Sequence, residues 1–316
     1  MKTKKLAWDL PGLIVPPLTA FDARGKVDYA AMERQIDYIV EAAKPAAICV
    51  AGVEAQEYHF LSETERRELI ERCADLVGGR VPIIVGVSHA SYRRALELVE
   101  LAVTVKADAV QLLLPNRPSG GKPSTSELVR YFEAIGREAP LPIVAYVNPG
   151  PGTEPSLAQL IEVMKLDYVV AVKESSRNQR YLGLLIKDVE EAGLGHVFAT
   201  MEVMLPCLEL GASGATMPPP GAALCAIMID AFRRKDYETA IAVHRFASEF
   251  PARWVDHGGM VGVMKESMRA IGLDVGTCYP PFGEIAAGDA EAIRSAWHAI
   301  DAAFPGRIRY RESARA

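Results

Sequence analysis

The sequence predicts an α/β protein built as a (β/α)8 barrel with a C-terminal helical extension. Three observations carry this. Eight short apolar runs occur at 13–15, 46–50, 81–87, 109–114, 143–146, 169–173, 196–199 and 214–217. Such nearly continuous apolar character is what parallel strands covered on both faces require. A stretch of helical period separates each run from the next, so strand and helix alternate. Eight repeats over about two hundred residues favour a closed barrel, which typically takes about 250, over a doubly wound sheet. The dinucleotide-binding alternative also needs a Gly-rich turn after its first strand, and Pro16-Pro17-Leu18 stands there instead. The architecture is the one called a TIM barrel.

The elements can be justified in order. The first run, Leu13-Ile14-Val15, leads to a turn at Arg24-Gly25-Lys26, and Asp28 is placed to cap the helix that follows. Met32, Ile36, Ile39, Val40 and Ala43 fall on one face of that helix. After the second run, Ser62 and Glu65 form a capping-box pattern that opens a helix with Leu69, Ile70, Cys73 and Leu76, closed by Gly78-Gly79. The same alternation continues through the eighth run. Beyond Gly221 the apolar runs stop, and 222–232, 237–250, 260–271 and 290–303 read as helices. The expected organisation is therefore a barrel over 1–220 with helices of 221–316 packed on it as one structural unit.

Composition narrows the function. Half the residues are hydrophobic and 24% are charged, the balance of an ordinary globular protein rather than a disordered one. A net charge of -5 gives no electrostatic reason to expect nucleic acid or an anionic membrane as partner. The N-terminus has no apolar segment of signal-peptide type, and no stretch approaches the roughly 18 apolar residues of a spanning helix. Five cysteines spread far apart and odd in number argue against a disulfide framework or a zinc site. Six scattered histidines show no metal-ligand spacing. A cytoplasmic location and no metal are expected.

Active sites of such barrels lie at the C-terminal ends of the strands. Lys173 ends the sixth run, and alternation places it on the face of Ala171 and Val169. If that face is the interior, burial disfavours the ammonium and favours the amine that attacks carbonyls. A lysine snorkelling to the rim, or paired with Glu174, fits the same run. Tyr146 ends the fifth run, so a phenol and an amine would share one site. A phenol can shuttle the proton that Schiff-base formation requires, though a core tyrosine with a satisfied hydroxyl is also consistent.

At these residues the sequence resembles the dihydrodipicolinate synthase/N-acetylneuraminate lyase family of class I aldolases, dehydratases and synthases. The similarity spans about 12–281. Its marks are Pro17-Leu18-Thr19-Ala20-Phe21, Glu57 with Leu61-Ser62, Tyr146-Val147-Asn148-Pro149, Val172-Lys173-Glu174-Ser175 and Leu210-Gly211-Ala212-Ser213-Gly214. The resemblance implies that Lys173 is the Schiff-base lysine, that Tyr146 is the proton shuttle, and that four chains assemble as a dimer of dimers. It implies no cofactor.

The departures are as informative. The family's loop after strand two usually reads Gly-Thr-Thr-Gly-Glu, and here it is Val53-Glu54-Ala55-Gln56-Glu57, without either hydroxyl. Pro-Tyr-Tyr after strand four is replaced by Pro115-Asn116-Arg117, and the arginine of the synthases aligns with Pro151. These losses argue against synthesis of a dicarboxylic product. Arg117 could recognise a carboxylate and Glu54 could act as acid/base or bind a hydroxyl or amine; equally, the two could pair or face solvent. The remaining candidates for substrate contact are the backbone amides of Ala55 and Gln56, with Thr19 after the first strand and Thr216 in the eighth run. The expected function is a lyase acting on a pyruvate-like 2-oxo acid through Lys173, by aldol chemistry or dehydration. A non-catalytic metabolite-binding barrel, or one using Lys173 as a general base, are the rivals.

Overall fold

Eight parallel strands close into a barrel in the order β1-β2-β3-β4-β5-β6-β7-β8, with β1 also paired to β8. The computed structural model describes residues 12–53, 60–117, 119, 121–249, 255–279 and 282–310. The strands are β1 (Gly12–Val15), β2 (Ala47–Val50), β3 (Ile83–Gly86), β4 (Ala109–Leu113), β5 (Ile143–Val147), β6 (Val169–Glu174), β7 (His196–Ala199) and β8 (Gly214–Thr216). Between them run α1 (Tyr29–Tyr38), α2 (Glu63–Val77), α3 (Tyr92–Thr104), α4 (Thr125–Glu138), α5 (Leu157–Met164), α6 (Gln179–Ile186) and α7 (Met204–Glu209). After β8 come α8 (Gly221–Arg233), α9 (Tyr237–Glu249), α10 (Val255–Ala270) and α11 (Ala287–Ala303).

Local sequence explains the helix starts. The Asp28 carboxylate accepts the Ala31 N–H at 3.0 Å. Ser62 and Glu65 form the expected capping box, and Gly78 ends α2 with φ 59°. Two further boxes, Ser124 with Glu127 and Ser156 with Gln159, open α4 and α5. The helix expected from residue 260 does start there: Gly259, at φ 73° and ψ 158°, breaks α10, so Val255–Ala270 is two helical segments meeting at a kink.

Side chains alternate between two apolar layers. Ile14, Ala47, Cys49, Ile84, Ala109, Val144, Ala171 and Phe198 form the filling of the barrel, while the larger cluster lies between strands and helices. One departure from simple alternation positions the site. The β5/β6 register shifts between Ile143, opposite Val169, and Val144, opposite Ala171. The extra residue puts Val170 and Ala171 both in the inner cluster and Val169 in the outer one. Val169 therefore does not share the face of Lys173, contrary to strict alternation. The same bulge brings Lys173 opposite Tyr146; a one-residue slip would have paired Tyr146 with Val172 and turned the lysine outward.

Candidate active site

Lys173 and Tyr146 meet at the C-terminal end of the barrel. Lys173 is 1% and Tyr146 0% exposed, so neither snorkels to the rim. The lysine Nζ lies 4.1 Å from the centre of the tyrosine ring. The phenol is not a bare end of the strand: Asn148 Nδ2 donates to the Tyr146 hydroxyl oxygen at 2.8 Å. Glu174, the next residue of β6, takes the other side of the strand beside Lys122, Glu154 and Tyr181. There its carboxylate accepts the Ser176 N–H at 2.9 Å, and burial pushes its pKa up.

Inside the barrel, Cys49 of β2 is within electrostatic reach of Lys173. Burial pushes its thiol up to about 12, with the lysine ammonium pulling the other way. Gly52 packs against Cys49 Sγ and Gln111 Oε1: a Cβ there would meet them at 3.0 and 3.4 Å. Gln111, on the inner face of β4, is 2% exposed, and its Nε2 has no hydrogen-bond partner among the described residues. The buried Thr19 and Thr216 hydroxyls share that condition. Buried polar groups are nearly always hydrogen-bonded, so these three are suited to a ligand or ordered water.

The other candidates fall differently. Glu54, Ala55 and Gln56 lie outside the described residues. Arg117 is turned onto Glu127 at the start of α4, with Nη2 at 2.6 and 2.5 Å from its two oxygens. That guanidinium and Ser124 draw the Glu127 carboxyl down to about 2. Arg117 Nη2 is thus committed to an internal carboxylate. Asn116 Nδ2 bonds the Pro151 carbonyl at 3.4 Å, tying the loop after β4 to the loop after β5. A cleft of about 510 Å³ opens beside the mouth, lined by Val53, Arg66, Ser88, His89, Leu113 and Asn116; Lys173 and Tyr146 are not on its wall.

Asn148, Gln111 and Cys49 are the site residues that sequence reasoning passed over. Signals existed for two of them. Asn148 stands two residues after Tyr146, the spacing that returns a side chain to the same face of a strand. Gln111 is the one amide in an otherwise apolar strand.

The model of the dihydrodipicolinate synthetase family matches residues 9–300 of the chain. The 4-hydroxy-tetrahydrodipicolinate synthase of Methanothermobacter thermautotrophicus is 25% identical over 279 residues, covering 85% of this chain and 95% of that one. A probable 2-dehydro-3-deoxy-D-pentonate aldolase of Escherichia coli is also 25% identical, over 281 residues, covering 86% and 91%. The crystal structure of a dihydrodipicolinate synthase from Bacillus anthracis superposes with a TM-score of 0.83 at 23% identity, covering 92% of this chain and 98% of that one.

Proposed function

Because the chain belongs to the dihydrodipicolinate synthetase family, we propose that it is a class I lyase working on a pyruvate-like 2-oxo acid through Lys173. The Lys173 amine adds to the ketone, giving a carbinolamine. Tyr146 delivers a proton to the carbinolamine oxygen, water leaves, and a protonated imine remains on the lysine. The imine draws electrons from the neighbouring carbon, so a carbon–carbon bond can break or form there, or a β-hydroxyl can depart as water. One observation carries the reading: the only amine and phenol at the ends of β5 and β6 are register partners, both buried, with Nζ 4.1 Å from the ring centre.

The rest of the site serves this chemistry. The Thr19 and Thr216 hydroxyls and the Gln111 amide supply hydrogen bonds around the bound acid. In this reading the backbone amides of Ala55 and Gln56 hold its carboxylate, and Glu54 acts as a general acid/base or recognises a substrate hydroxyl or amine. No metal or organic cofactor is required by these steps. Four chains in the cytoplasm is the assembly that goes with the family resemblance.

Intact-mass spectrometry after incubation with pyruvate and borohydride tests the proposal. A reduced pyruvyl adduct on the wild type, absent from Lys173→Ala, is the expected result. No adduct with pyruvate or larger 2-oxo acids, alongside methyl-proton exchange of pyruvate, would instead make Lys173 a general base. Neither adduct nor exchange would leave a metabolite-binding barrel.

A further inference from the structure

The geometry points to Asn148 as the residue that directs the Tyr146 proton, an inference that rests on the reading of Tyr146 as the proton shuttle. Asn148 Nδ2 donates to the phenolic oxygen at 2.8 Å, while its Oδ1 accepts the Gly150 N–H at 3.3 Å. The second bond fixes the sense of the first. Rotating the amide by half a turn would face N–H against N–H at Gly150, so the group toward Tyr146 is the donor.

The loop carrying Asn148 is itself held. Gly152 N–H donates to the Asn148 carbonyl at 3.0 Å, and Thr153 N–H to the Leu114 carbonyl at 3.1 Å. Asn116 holds the Pro151 carbonyl from the neighbouring loop. Gly152 sits so close to the end of β4 that a Cβ would meet Leu113 Cγ and the Leu114 carbonyl oxygen, each at 2.8 Å. The amide is therefore a fixture of the rim.

The consequence is directional. An amide NH2 group only donates, so toward Asn148 the phenol can only accept, and its own proton must point elsewhere. When Tyr146 protonates the carbinolamine oxygen, the C–O bond breaks and water departs. The tyrosine is left as phenolate, and the Asn148 N–H strengthens onto that charge. A hydrogen bond that grows as charge develops lowers the barrier rather than merely binding substrate. The phenolate then takes a proton back before the next turnover. Asn148 acts through Tyr146, so it is a positioning residue.

A double-mutant cycle tests this, reading the rate of borohydride-trapped pyruvyl adduct and of deuterium exchange at the pyruvate methyl. Tyr146→Phe should slow both by about 10²- to 10⁴-fold, the usual weight of a positioned acid–base group. Asn148→Ala should slow both about ten- to a hundredfold, the weight of one hydrogen bond to a charged oxygen. The double variant should be no slower than Tyr146→Phe alone. Asn148→Asp keeps the shape and reverses the sense, because a carboxylate accepts the phenol proton. It should be slower than Asn148→Ala near neutral pH and recover relative to it as the carboxylate is protonated. Equal slowing by Asn148→Ala in the wild-type and Tyr146→Phe backgrounds would reduce Asn148 to a loop support and overturn the inference, as would no slowing at all. A wild type that forms no adduct fails at the earlier step: it overturns the Schiff-base reading and this inference together.

Discussion

The pairing of Arg117 with Glu127 separates what a residue's type allows from what its surroundings leave it to do. By type, its guanidinium could grip a substrate carboxylate; in place, it already grips Glu127 through Nη2. Arg117→Met is therefore expected to leave adduct formation with pyruvate near the wild-type rate, with steady-state kinetics on the trapped substrate as the check. A tenfold or greater rise in KM would show that Arg117 does leave Glu127 for the ligand. Glycine gives the sharper case. A Cβ on Gly214 would sit 1.7 Å from the Gly12 carbonyl oxygen, a backbone atom of the paired strand that cannot rotate away. Gly214→Ala should cost at least about 1–3 kcal/mol, the usual cost of overpacking a core, because the atom it meets is backbone. Soluble expression with an undiminished denaturation midpoint would show that β1 and β8 can separate without loss.

Between residue and fold, the short-range rules did most of the predictive work. Strands were legible because burial on both faces leaves them apolar, and helix starts because Asp28, Ser62 and Glu65 carry their partners within three residues. The β5/β6 bulge was not legible. Its extra residue lies among Val169, Val170 and Ala171, any of which fits either face, and only the closed barrel decides which turns inward. The pairing of Asn148 with Tyr146 was half legible, from their spacing of two, while its direction needed Gly150. The α2 cap also makes a prediction. Hydrogen bonds from Lys26 first, then Ser62, draw the Glu65 carboxyl from its ordinary 4.5 down to about 2. A carboxyl lowered by folding stabilises above the unfolded value and loses that contribution as pH falls from about 4.5 toward 2. Urea midpoints should thus fall less steeply over that window for Glu65→Gln than for the wild type. Parallel curves would mean that the cap and its bridge to Lys26 contribute nothing measurable.

Across the whole molecule, the helices after β8 close on the loop that follows β1. Phe21 bridges to Gly276, Arg269 of α10 donates to the Gly276 carbonyl at 2.7 Å, and Lys265 of α10 donates to the Thr277 carbonyl. The Lys265 ammonium also lies 4.7 Å from the centre of the Phe21 ring. Glu266 joins Arg269 of its own helix to Arg294 of α11, and Trp297 of α11 is fully buried. The C-terminal helices thereby brace the segment that carries Thr19. Among the described residues two lysines are only 1% exposed, Lys173 and Lys265. Burial alone would nominate both as carbonyl-reactive amines, but their neighbours divide the roles. Lys173 lies beside the Tyr146 phenol of the adjoining strand, whereas Lys265 donates to a backbone carbonyl and stacks on an aromatic face. One pyruvyl group per chain is therefore the expected stoichiometry after borohydride reduction. Lys265→Met, which keeps the stem and removes the ammonium, should retain that single adduct while losing about 1–3 kcal/mol of stability in urea denaturation. Peptide mapping of the reduced protein decides the matter, since a label on Lys265, or a single adduct that survives Lys173→Ala, would move the reactive amine from the barrel to the helices that cover it.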